Sequence, residues 1–327
     1  MIKKQTSLKP LETFADWCKA RGQLPLDARY TVEILLEEAG TQTCEQAAAW
    51  LTQQTTLDLS GHDIVDVTPL ASLAQLTELA LWDNDIIDVS PLANLTHLTE
   101  LTLSENKIAD ITPLANLTKL TELDLGFNQI RDVPQISSLA NLGTLYLDGN
   151  QIIDVTPLAP LNHLTRLDIG FNHITDVTPL SFLSKLALLQ LGFNQIVDVT
   201  PLSYLTDLTL LKLHCNNIAD IVPLASLTNL TRLSLDNNKI TDVMPLANLT
   251  NLVALSLDNN QITDVTPLAN LTNLTWLSLN HNQITDVTPL DNLPNLTSLS
   301  FSGNRTNPIT RLLTRWLRRP NLDHELL

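Results

Sequence analysis

Apolar and polar positions alternate along most of this chain on a fixed beat. In the stretch Leu79-Ala-Leu81-Trp-Asp-Asn84-Asp-Ile86-Ile-Asp88-Val89-Ser-Pro91-Leu92-Ala-Asn-Leu95-Thr-His-Leu98, leucines flank a polar or small residue, and apolar positions then return about every third residue. The pattern repeats every 22 residues with no insertion or deletion. Alternation around Leu79 and Leu81 predicts a short strand with one buried face. Thr or Ser before Pro, as in Thr112-Pro113, Thr156-Pro157 and Thr266-Pro267, predicts a single short 3₁₀ turn on the return path. Units this small can bury their leucines only by stacking on one another, so the chain reads as a solenoid. Stacking predicts a parallel sheet of twelve rungs spanning roughly 50 Å.

The polar landmark of each unit is an asparagine: Asn84, Asn106, Asn128, Asn150, Asn172, Asn194, Asn216, Asn238, Asn260, Asn282 and Asn304, with His62 one period earlier. An amide carries a donor and an acceptor, so a buried asparagine can bond the backbone of adjacent turns where an apolar residue cannot. The unit Asp132-Val-Pro134-Gln-Ile136 moves its proline one place earlier while keeping the period. A local change of backbone is expected there, without a break in the stack.

The two ends lack the repeat. Residues 1–55 read as a helical N-terminal cap. Leu11, Phe14, Trp17 and Cys18 form one apolar stripe closed by Gly22. A second helix runs from near Asp27 to Gly40. A third is predicted to open with a capping box at Thr43-Cys-Glu-Gln46. Residues 56–304 make the solenoid and 305–327 a helical C-terminal cap, with Ile309, Leu312, Leu313, Trp316 and Leu317 on one helix face and Arg311, Arg315, Arg318 and Arg319 on the other. Such caps cover leucines that the terminal turns would leave facing water.

Units of the form N-x-I-x-D-V-x-P-L-A-x-L-T-x-L resemble the 22-residue leucine-rich repeats of bacterial internalins and of similar proteins in cyanobacteria. The match spans residues 57–304, and Phe14-Ala-Asp-Trp-Cys18 and Leu35-Leu-Glu-Glu-Ala-Gly40 also look like the leader of cyanobacterial members. Phosphatase-regulating eukaryotic repeat proteins are a more distant likeness. The resemblance implies an α/β solenoid: a right-handed leucine-rich-repeat superhelix with a parallel β-sheet on its concave face, short 3₁₀ turns on its convex face and helical caps. It further implies a non-enzymatic module that recognises a protein or peptide on the concave sheet.

Composition narrows the function without naming it. A formal net charge of −16 argues against a nucleic-acid binder and against acidic small ligands. No segment reaches the length of an apolar membrane span, and the N-terminus has no signal-peptide run, so a cytoplasmic monomer is expected. Cys18, Cys44 and Cys215 are an odd number for a disulfide framework. A bridge between Cys18 and Cys44 is one reading; two buried thiols are the expected state in a reducing compartment. Histidines fall at unrelated offsets, no His/Cys spacing suits zinc and no phosphate loop appears, so no catalytic residue, cofactor or metal site is assigned. The neighbours His214 and Cys215 lack a third orienting group.

Two columns remain as candidates. Eleven aspartates, from Asp66 through Asp88, Asp110, Asp132 and onward to Asp286, share one offset. They are read as turn formers accepting backbone amides, with a Ca²⁺ stripe as the alternative, and their mutual repulsion predicts relief by salt or mild acid. The outward strand positions are where recognition should be written. Leu188 and Leu210 lie on adjacent strands, rimmed by Arg166, Lys212 and Arg232, with Asp168 and His214 nearby. Gly170 and Gly192 predict a shallow depression beside Phe171 and Phe193. Trp82, Tyr146 and Trp276 are outward aromatics, and Asp124 joins an acidic surface with the column Glu78, Glu100 and Glu122. The column Ser234, Ser256, Ser278 and Ser300 reads as uniform and unspecific. A partner-binding face built on these residues leads. Self-assembly through the arginine-bearing C-terminal helix is the second reading.

Overall fold

A computed structural model of the protein describes residues 11–305, so the expected C-terminal helix lies outside the described residues. The chain divides into two compact units, Met1–Ile130 and Arg131–Leu327.

In the first unit, helix α1 (Phe14–Ala20) starts at a capping box that the sequence reading does not name. Asp16 N–H donates to Thr13 Oγ1 (3.2 Å) and Thr13 N–H donates to Asp16 Oδ2 (3.1 Å). The α-helix ends at Ala20, close to the stop expected at Gly22, and the chain leaves through a 3₁₀ turn at Arg21–Gln23. Helix α2 (Leu26–Glu38) buries Val32, Ile34, Leu35 and Leu36 and ends just before Gly40, the predicted limit, whose left-handed φ of 61° suits a glycine. Helix α3 (Cys44–Leu51) lacks the predicted capping box. Thr43 caps no amide with its side chain, because Gln46 Oε1 is taken by the Thr41 hydroxyl (2.8 Å), which also receives Thr43 N–H (3.2 Å).

Cys18 and Cys44 are joined by a disulfide between α1 and α3, with Cα atoms 5.5 Å apart. This corrects the expectation of two separate thiols: the stripe that buries Cys18 faces the first turn of α3. Closing a loop of this length stabilises the folded state by about 3 kcal/mol, and such bonds persist where the surroundings are oxidising. Thr31 Oγ1 donates to Asp66 O (2.7 Å) and ties α2 to the first repeat.

Strands β1 (Thr56–Asp58), β2 (Glu78–Ala80), β3 (Glu100–Thr102) and β4 (Glu122–Asp124) follow in the first unit. They pair in parallel and in sequence order, each residue opposite the one 22 places on. In the second unit, β5 (Thr144–Tyr146), β6 (Arg166–Asp168), β7 (Leu188–Gln190), β8 (Leu210–Lys212), β9 (Arg232–Ser234), β10 (Ala254–Ser256), β11 (Trp276–Ser278) and β12 (Ser298–Ser300) pair the same way. Because the side-chain period of a strand is two, Leu167, Leu189, Leu211 and Leu233 all point into the core while their neighbours face out. Ile174, Val177, Leu180, Leu183 and Leu186 fill the rest of one turn, all buried. Truncating one such leucine to alanine typically costs about 2–5 kcal/mol, a large share of the roughly 5–15 kcal/mol by which folded domains are stable.

The asparagines do what the buried amide predicts. Asn172 Nδ2 donates to Leu147 O of the preceding turn (2.9 Å), while its Oδ1 accepts Ile152 N–H (2.9 Å). Asn194, Asn216, Asn238, Asn260, Asn282 and Asn304 repeat both bonds in this unit, and Asn84, Asn106 and Asn128 do so in the first. To aim the amide inward, the preceding residue adopts a left-handed backbone, with φ of 51–55° at Asp83, Glu105, Phe127, Phe171, Phe193, Cys215, Asn237, Asn259 and His281. Gly61, Gly149 and Gly303 hold the same place in other turns.

The return path is a 3₁₀ turn of three to five residues with proline in its first two positions, as at Thr112–Asn116 and Thr266–Asn270. Ten of the eleven column aspartates accept the backbone N–H two residues on, from Thr68 N to Asp66 (2.8 Å) through Thr288 N to Asp286 (2.9 Å). Asp132 is the exception, because the residue two places on is Pro134, which has no N–H. The backbone changes there as expected: Val133 has φ −127° and ψ 34°, against −105° and 9° at Ile111.

Candidate recognition face

Between β6 and β9 the outward positions form three vertical columns. In the first, strand register places Arg166, Leu188, Leu210 and Arg232 side by side in that order. In the second stand Asp168, Gln190, Lys212 and Ser234, and in the third Gly170, Gly192, His214 and Asp236. Leu188 and Leu210 are partly exposed and Arg166 and Arg232 exposed, which gives the apolar centre and cationic rim predicted from the sequence.

The polar groups around this centre are unevenly satisfied. Asp168 accepts Gly170 N–H (3.0 Å) and the Gln190 amide. Arg166 donates to the phenol oxygen of Tyr146 (3.1 Å), which brings that aromatic to the edge of the patch. Lys212 is half-buried, and its ammonium is held below the ordinary lysine range by desolvation, with Asp168 opposing the shift and Arg232 adding to it.

The depression expected at the glycines is not open. The His214 imidazole lies over Gly192, where any Cβ would collide with it, and a Cβ on Gly170 would sit 3.1 Å from Gly192 O. Phe171 and Phe193 stack at 4.0 Å between centroids, and His214 meets Phe193 edge-on at 5.2 Å. Both phenylalanines occupy the left-handed position before the asparagine, which swings their rings outward and leaves them 49% and 42% exposed. Desolvation pushes His214 below the ordinary histidine range, and its Nδ1 finds no partner among the described residues. Burial raises the Cys215 thiol, which disfavours the reactive thiolate.

Other predicted residues stand apart from this patch. Trp276 is on β11, partly exposed between Ala254 and Ser298. Trp82, 46% exposed, and Asp124 belong to the first unit, where Asp124 accepts the Ser104 hydroxyl (2.9 Å) and Gly126 N–H (2.9 Å). There Glu78, Glu100 and Glu122 do stack in one column, and small Ala80 leaves a shallow hollow of about 260 Å³ bordered by Asp58, Glu78, Glu100 and Thr102.

Sequence reasoning missed two features. From β9 onward the serine column is wired to the acids and amides beside it. Ser234 and Ser256 hydroxyls donate to Asp236, Ser278 to Asp258 (2.6 Å) and Ser300 to Asn280 (2.6 Å), so that part of the face has spent its polar groups internally. On the 3₁₀ side, Phe182 and Tyr204 stand 66% and 67% exposed at the ends of the turns Thr178–Phe182 and Thr200–Tyr204. The signal was present: Asn116, Ser226 and Asn248 fill that offset elsewhere.

Among the described residues no group of three His, Cys, Asp or Glu side chains is placed to hold a metal ion, and no helix is long and apolar enough to cross a membrane.

The sequence signature described as leucine-rich repeats (2 copies) matches residues 74–116, 118–160, 140–184, 206–248, 228–270 and 272–315. An internalin (InlF) from Listeria monocytogenes is 34% identical, with a TM-score of 0.86 over 95% of this chain and 90% of that one. The chain belongs to the internalin-like leucine-rich-repeat family. A second Listeria internalin, C2, is 42% identical over 57% of this internalin-like chain and 83% of its own, with a TM-score of 0.56. A leucine-rich-repeat protein of Leptospira interrogans shares the fold at 22% identity and a TM-score of 0.68, covering 95% of this chain and 98% of that one. None of the curated proteins matches the sequence. Leucine-rich-repeat proteins are typically scaffolds for protein or peptide recognition and are generally non-enzymatic.

Proposed function

We propose that the outward strand face of β6–β9 is a recognition surface for a protein or peptide. The observation that carries this reading is the pair Leu188 and Leu210: two partly exposed leucines adjacent on a face that is otherwise polar, bracketed by Arg166 and Arg232. An apolar centre with a charged rim is the general anatomy of a binding hot spot. Neither leucine is needed for the core, whose inward positions are already filled by Leu189 and Leu211. The family supports recognition in general, since leucine-rich-repeat proteins are typically scaffolds for protein or peptide recognition. A Ca²⁺ stripe is less well supported, because the column aspartates spend an oxygen on backbone amides in ten turns.

The variant Leu188→Glu/Leu210→Glu changes only outward side chains and should keep the circular dichroism spectrum and melting temperature of the parent. Affinity capture from the native source with parent and variant should then give different partner sets. Identical sets from two equally folded baits would remove this patch as the recognition surface.

A further inference from the structure

The chain carries a net charge of −16, yet three cations, Arg166, Lys212 and Arg232, gather around Leu188 and Leu210. Strand spacing sets Arg166 and Arg232 roughly 14 Å apart at the two ends of the apolar pair. Lys212 lies two residues beyond Leu210 on the same face of β8. The carboxylates nearby are already engaged: Asp168 holds Gly170 N–H and the Gln190 amide, and Asp236 holds two serine hydroxyls and Asp258 N–H (2.8 Å). Neither Lys212 nor Arg232 forms an ion pair among the described residues. A half-buried ammonium beside a guanidinium bears a desolvation cost that Asp168 offsets only in part, and an added anion would offset more of it.

Building on the recognition reading above, we propose that this face takes an extended acidic and apolar peptide segment, with an aliphatic side chain over Leu188 and Leu210 and carboxylates reaching Lys212 and Arg232. A long polyanion does not fit the same surface. The cationic ground is only about 14 Å wide, and the flanking positions are Asp168, Asp236 and Asp258, which repel a phosphate backbone. The overall negative charge disfavours acidic ligands in general, whereas the three cations around Leu188 and Leu210 favour them at this face.

The test uses two rhodamine-labelled peptides with blocked ends, Gly-Leu-Glu-Leu-Glu-Leu-Gly and its Lys-for-Glu counterpart, titrated with the full chain by fluorescence anisotropy. Bulk electrostatics of so acidic a protein would favour the lysine peptide, so the sign of the preference decides. The glutamate peptide is expected to bind at least about tenfold more tightly. Lys212→Met should erase that preference, and Arg232→Gln, at an exposed position, should reduce it, so a folding defect in one variant leaves the other to read. Leu188→Ser/Leu210→Ser should weaken both peptides. A lysine peptide bound as well or better, or no binding of either, overturns the acidic-partner inference. Binding of either peptide unmoved by the leucine variant places it off this face and overturns the recognition reading as well.

Discussion

At the residue scale the molecule is governed by its asparagine. One side chain bonds two turns at once, and it does so buried, where each unpaired backbone group costs roughly 1–3 kcal/mol. Asn172→Leu would strip the donor from Leu147 O and the acceptor from Ile152 N–H. We expect urea unfolding to show stability lowered by roughly 1–3 kcal/mol for each group left unpaired, with the slope unchanged; a midpoint within error of the parent would mean that water replaces the amide. This column was legible because a polar residue held at one offset inside an apolar frame has few other uses. The left-handed residue before it was not. Glu105, Phe127, Phe171, Phe193 and Cys215 have no preference for that backbone, which is imposed by the inward turn; Asp83, Asn237, Asn259, His281 and the glycines of the column hinted at it. The closed depression at Gly192 was likewise hidden, since it depends on where the His214 ring rests.

At the scale of the element, aspartate and proline together define the return path. The aspartate column was expected to be strained by its own repulsion, with mild acid as relief. The hydrogen bonds reverse that sign. The following threonine, through its hydroxyl and its N–H, holds Asp110, Asp154, Asp176, Asp198 and Asp264 below the usual carboxylate range, and repulsion from Asp176 is a lesser influence on Asp154 and Asp198. A carboxylate with a lowered folded pKa contributes stability that is present above its unfolded value, near 3.9, and is lost as pH falls through the lowered folded value. The melting temperature should therefore fall on acidification below about pH 4. A rise over that range would show that repulsion dominates after all. Regular spacing made the turn readable. The cap did not have that help: helix existence followed from the apolar stripes, whereas the Cys18–Cys44 bridge and the choice of Thr13 over Thr43 as capping residue depend on how α1 and α3 pack.

At the scale of the whole molecule, each unit repeats one solution to burial, so the core carries no information about partners and the outward columns carry all of it. Most of the candidate face was therefore visible in the sequence once the phase was known: strand register alone brings Arg166, Leu188, Leu210 and Arg232 together. What phase could not rank is the competing surface on the other side of the same turns, where Phe182 and Tyr204 are 66% and 67% exposed, more than Phe171 (49%) or Phe193 (42%). The two surfaces can be set against each other directly. A benzophenone amino acid would be placed, one position at a time, at 188, 210, 182 and 204, and the full-length chain irradiated in extract from its native source. Partner adducts from positions 188 and 210, with none from 182 and 204, are the predicted result; adducts from the 3₁₀ side alone would contradict a strand-face recognition surface.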